Sequence, residues 1–145
     1  MGSRIQSIMV AVDGSESSNR AIDVAAALAQ HEKANLVIVS VAAPSPAAAR
    51  REFQRIEGSA ADPSETASQA ILMDAQQRAG WADVRAKTIM LWGDPAEGII
   101  KAVVNEKVDA LVVGRRGRGQ LAGLLLGSVS QKLVSLSPCM VTVVP

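Results

Sequence analysis

Residues 108–144 read VDALVVGRRGRGQLAGLLLGSVSQKLVSLSPCMVTVV, and this stretch decides the fold. It opens on an apolar run at 108–114 with the length and β-branched content of a strand. A loop rich in glycine and arginine follows. Ser128 and Gln131 then have the spacing of a capping box ahead of KLVSLS, and Pro138 stops that helix. CMVTVV at 139–144 supplies a second strand. A strand that returns through a helix is a parallel crossover.

Upstream, the same alternation repeats. Strand-like runs occur as IQSIMVAV (5–12), ANLVIVSVA (34–42) and VRAKTIML (84–91). Those around Val10, Val39 and Val112 are nearly continuously apolar, the pattern of parallel strands covered on both faces. The segments between them carry helix-start signals. Ser15 can cap the first, with Ala21, Val24, Ala25 and Leu28 on one face. Asp62, Pro63 and Glu65 introduce the second, and Asp94, Pro95 and Glu97 the third. The order β-α-β-α-β-α-β-α-β predicts an α/β fold: a three-layer open sheet of five mostly parallel strands with helices on both faces.

The chain has 145 residues, of which 48% are hydrophobic and 20% charged. This suits a single domain over 1–145 and excludes a disordered chain. Net charge is +1, so no overall field draws it to nucleic acid or an anionic membrane. One cysteine excludes a disulfide framework and a Cys-rich zinc site. No apolar run reaches the ~18 residues of a membrane helix, and MGSRIQSIMVAVDG lacks a signal-peptide pattern, so a cytoplasmic location is expected. The connection over 42–61, AAPSPAAARREFQRIEGSAA, is long for a compact domain. A mobile surface loop, a partly helical flap over a site or a partner-binding segment all fit it.

In open parallel sheets, ligands sit beyond the carboxyl ends of the strands. The residues there are Asp13-Gly14-Ser15, Val41-Ala42, Trp92-Gly93-Asp94 and the run from Gly114 through Arg115, Arg116, Gly117 and Arg118 to Gly119. Glycines let backbone N–H groups turn inward, and a following helix N-terminus favours an anion. All fourteen acidic residues lie at or before Asp109, whereas Arg115, Arg116, Arg118 and Lys132 lie beyond it. That pattern suits a phosphate chain or, alternatively, a soluble turn. GxxxxGK[ST] is absent, which excludes a Walker-type nucleotide hydrolase. Gly117, Gly119 and Ala122 satisfy G-x-G-x-x-A, but no acidic residue follows to hold a ribose.

The loop matches Gly114-x2-Gly117-x9-Gly127-Ser128, and with it the sequence resembles the universal stress protein family. The resemblance spans the chain: IMVAVDGS, Ser40-Val41, Gly93-Asp94-Pro95-Ala96-Glu97 and LLLGSVSQKLV. It implies a Rossmann-like sheet in the order 3-2-1-4-5, with ATP, or AMP or cyclic AMP, between strands one and four. Ala11, Val12 and Asp13 would border the adenosine, the Val41 backbone would read adenine, and Gly114 would pack on the ribose. Arg115, Gly117, Arg118 and Gly119 would approach the phosphates from one side. Gly127, Ser128, Val129 and Ser130 would meet them from the other, with Mg2+ held mainly by the phosphates. Many relatives have Pro at the position of Ala11 and a small residue at that of Arg115. The resemblance also implies a homodimer through the last strand, Cys139 to Val144, whose apolar edge would otherwise be open.

The remaining candidates read more plainly. Asp13 also suits the turn into the first helix. His31 sits beside Glu32 and Lys33 as a solvated helix-end cation. Cys139 reads as a small buried hydrophobe. Trp92 either lines the crevice or covers the sheet end. No Ser/His/Asp arrangement can be assembled, so no catalytic or metal residues are assigned and any ATP hydrolysis should be slow. Three functions stay open: an ATP-dependent stress-response switch, a nucleotide-free interaction protein of the same fold, and an adenylyl-transferring enzyme. Lack of binding at millimolar ATP separates the second from the first.

Overall fold

The computed structural model describes residues 4–42, 63–115 and 126–145. In chain order these form β1 (Ser7–Ala11), α1 (Glu16–Glu32), β2 (Asn35–Ala42), α2 (Pro63–Trp81), β3 (Ala86–Trp92), α3 (Pro95–Asn105), β4 (Ala110–Gly114), α4 (Ser128–Leu136) and β5 (Met140–Val144). The strands make one sheet in the order β3-β2-β1-β4-β5, and every adjacent pair is parallel. The sequence gives that alternation; the neighbour order comes from the resemblance and is the observed one. Beyond Ala42, the long connection over 42–61 lies outside the described residues, as does Asp62.

Two cores flank the sheet, as the alternation of side chains along each strand requires. Ile8, Val10, Leu36, Ile38 and Val112 face α1 and α2. Met9, Val37, Val39, Leu111 and Val113 face α3 and α4. The three central strands β1, β2 and β4 are the ones buried on both sides, in keeping with their unbroken apolar runs.

On α1 the buried stripe consists of Ser18, Ala21, Ile22, Ala25, Ala26 and Ala29, while Val24 is exposed. The sequence reading placed Val24 inside. At about 100° per residue Val24 points away from a stripe centred on Ala25 and Ala29, and in its first turn α1 also lies close to β4. A Cβ on Gly114 would sit 2.5 Å from Ser17 Oγ and 2.9 Å from the backbone of Ser17 and Ser18. Only glycine permits that approach.

No helix among the described residues is long and apolar enough to cross a membrane.

Candidate functional site

The helices α1, α3 and α4 all begin at the carboxyl ends of the strands, where the crossovers diverge on either side of β1. Between them lies a cavity of about 290 Å³. Ala11 of β1 with Val12 and Asp13 just beyond it, Val39 and Val41 from β2, and Val113 and Gly114 from β4 form its floor. Pro95 and Ile99 of α3, Val129 and Leu133 of α4, and Ser15, Ser18, Gly127 and Ser130 complete the walls. The lining is mainly aliphatic with a few polar side chains, Asp13, Ser15, Ser18 and Ser130, the usual make-up of a small-ligand pocket. Among the described residues, its only charged side chain is Asp13.

The three helix starts differ in how their free amides are used. At α1, Ser15 Oγ accepts from Ser18 N–H at 3.2 Å, and Asp13 Oδ1 accepts from Ser15 N–H at 2.9 Å. Gly14, with φ at 82°, makes that turn. At α3, Asp94 Oδ2 accepts from Glu97 N–H at 3.0 Å. At α4 the N-cap is Gly127, which has no side chain to offer, and no side-chain cap bond forms. The first-turn amides of α4 are therefore the ones left for an external acceptor, at the positive end of the helix dipole.

This start is clamped to the sheet by its neighbours. Ser130 Oγ donates to the Gly114 carbonyl at 2.7 Å, and Gly127 N–H donates to the Arg115 carbonyl at 2.8 Å. Arg115 N–H in turn donates to the Val144 carbonyl at 2.6 Å. Arg115 is half-buried, and its Nε is buried with no hydrogen-bond partner among the described residues.

Comparison with known proteins gives this geometry its context. The model of the universal stress protein family matches residues 4–145. The chain belongs to the universal stress protein family. It is 37% identical to a Thermus aquaticus universal stress protein over 148 residues, covering 96% of this chain and 98% of the relative. A universal stress protein solved in complex with cAMP is 30% identical, with a TM-score of 0.73 and coverage of 99% of this chain and 98% of that one. The structure of UspA from Lactobacillus plantarum, 23% identical, shares the fold at a TM-score of 0.82 over 99% of this chain and 100% of that one.

In this universal stress protein, nine of the residues singled out from sequence meet at the cavity: Ala11, Val12, Asp13, Ser15, Val41, Gly114, Gly127, Val129 and Ser130. Ser128 and Arg115 do not line it, and Gly117, Arg118 and Gly119 lie outside the described residues. Ser128 is also not the cap that its spacing to Gln131 suggests. Gln131 N–H donates to the Gly127 carbonyl at 2.9 Å, so the helix begins one residue earlier and Ser128 is its exposed first residue. Two donors expected to face a ligand are already engaged, the Gly127 N–H and the Ser130 hydroxyl. The first-turn amides remain.

Sequence reasoning missed Val39, Pro95, Ile99, Val113 and Leu133, which read as core or helix-start residues. The signal for Pro95 was present, since it follows the strand end at Gly93-Asp94. Trp92 is 55% exposed and is not part of the cavity lining. Cys139 is half-buried just before β5 rather than fully buried within it. His31 is exposed in the last turn of α1. Among the described residues, no three His, Cys, Asp or Glu side chains gather as metal ligands would.

Proposed function

We propose that this universal stress protein binds an adenine nucleotide, ATP in the first instance, in the cavity between β1 and β4. It then acts as a nucleotide-dependent stress-response regulator and interaction module. The observation that carries the reading is the start of α4. Its amides have no side-chain cap, and they open beside an aliphatic slot that ends at the strand termini. The slot takes the base between Val39, Val41 and Ile99. Asp13 uses one carboxylate oxygen to hold the turn and borders the ribose. The α4 amides receive phosphate, with Arg115, Gly117, Arg118 and Gly119 on its other side and Mg2+ carried mainly by the phosphates. The relative solved with cAMP supports an adenosine ligand and leaves cAMP and AMP as competitors to ATP.

A homodimer through β5 belongs to the same reading. The edge strand β3 carries Lys87, paired with Glu106 at 2.6 Å, and such charge discourages strand addition. The other edge, β5, is MVTVV and has no charge. A second copy would cover it.

Calorimetric titration of ATP, with and without Mg2+, into nucleotide-stripped wild type and Gly127→Val tests the reading. Gly127 has φ −72° and ψ 165°, so valine fits the backbone and obstructs the phosphate approach. Saturable wild-type binding that the variant loses is expected. No wild-type binding at millimolar ATP would instead favour the nucleotide-free interaction protein.

A further inference from the structure

The end of β5 is held from two directions. Arg115 N–H donates to the Val144 carbonyl at 2.6 Å, and Arg20 Nε–H donates to the backbone oxygen of Pro145 at 2.6 Å. Arg20 is an exposed residue of α1 and does not line the cavity. It nevertheless stands at the head of a short series of bonds. Pro145 follows Val144, Val144 receives Arg115, and the Arg115 carbonyl receives the N-cap Gly127 of α4.

Beyond Arg20 each link is a backbone group, and Val144 itself packs into the core on the α1 side of the sheet. Within the described sheet, β5 is an edge strand paired only with β4, and Gly114↔Val144 is their last paired position. The Arg115–Val144 bond is thus the outermost rung of the ladder. Terminal rungs fray unless something ties them. Arg20 supplies that tie from the opposite face of the sheet to α4.

We infer that Arg20 is a positioning residue for the anion-binding turn, acting through Pro145, Val144 and Arg115 to fix where α4 begins. Removing it frees the end of β5, loosens the Arg115 peptide, and lets Gly127 and the first-turn amides of α4 drift. The base-binding slot is not touched by this series. The ligand part of this inference rests on the proposed nucleotide site; the structural part does not.

Two measurements on the full chain test it. The first is amide exchange, residue by residue, in ligand-free wild type and Arg20→Ala. Arg115 and Gly127 should exchange about threefold to tenfold faster in the variant, the range of one solvent-accessible hydrogen bond, while Met9 and Val10 in β1 stay unchanged. The second is titration of ATP and of adenosine at about 0.5 M salt, where the loss of a distant charge is screened. ATP affinity should fall about threefold to tenfold and adenosine affinity should not. Unchanged exchange at Arg115 and Gly127, or equal acceleration throughout β1, overturns the inference, as does equal loss for both ligands. If wild type binds neither ligand, the nucleotide reading falls, and the exchange result alone decides the role of Arg20.

Discussion

The Ser130 hydroxyl donates to the Gly114 carbonyl at 2.7 Å, so the first turn of α4 is bonded to the last residue of β4. Ser130 is buried, and its removal would leave that carbonyl without its donor. Ser130→Ala should cost about 1–2 kcal/mol of stability by denaturant unfolding, the range for orphaning one buried acceptor. ATP affinity should fall severalfold in the same variant, because the amides of α4 lose their fixed position. Lowered stability with unaltered ATP affinity would separate the clamp from the site.

Gly114→Ala should be harder to accommodate than its single methyl suggests. The new carbon would meet Ser17 and Ser18 backbone atoms at 2.9 Å, and these belong to the first turn of α1 rather than to a yielding side chain. Overpacking of this kind costs about 1–3 kcal/mol. For a chain of this size, a thermal midpoint lower by roughly 3–10 °C is expected. A midpoint within a degree of wild type would mean that α1 can shift away without penalty.

Gly127→Asp separates folding from binding. Aspartate at an N-cap satisfies first-turn amides, so stability should be unchanged or slightly raised, by about 0.5 kcal/mol at most. The carboxylate would occupy the position proposed for phosphate and repel it. Calorimetry should therefore show ATP binding lost from a protein that unfolds no earlier than wild type. Retained affinity would place the phosphates elsewhere.

Val143→Lys addresses the uncharged edge. Val143 is half-buried in β5, and lysine there reproduces the protection that Lys87 gives β3. Light scattering after gel filtration should report a monomer where wild type gives a dimer. An unchanged dimer would move the interface to another surface.

The sheet was legible because three central strands are buried on both faces and so leave unbroken apolar runs in the sequence. Their parallel direction followed from the helices between them. The start of α4 was misread by one residue, since Ser128 and Gln131 mimic a capping box while Gly127 carries no side-chain signal. Val24 was placed inside α1 by its i, i+3 spacing from Ala21. The buried stripe is centred instead on Ala25 and Ala29, and which of two overlapping helical stripes faces the sheet is a three-dimensional fact that periodicity does not record. Pro95 and Ile99 were missed for a related reason. They serve the core and the cavity wall together, and a residue with a sufficient structural role gives no separate sign of a second one.

The Gly127 N–H to Arg115 C=O bond joins the two points where the chain leaves β4 and re-enters α4. Because both atoms are backbone, the closure does not depend on what sequence runs between them. Substitutions between these two residues therefore leave both partners of the bond in place, and the closure of the turn is set by the ends of β4 and α4 rather than by side chains.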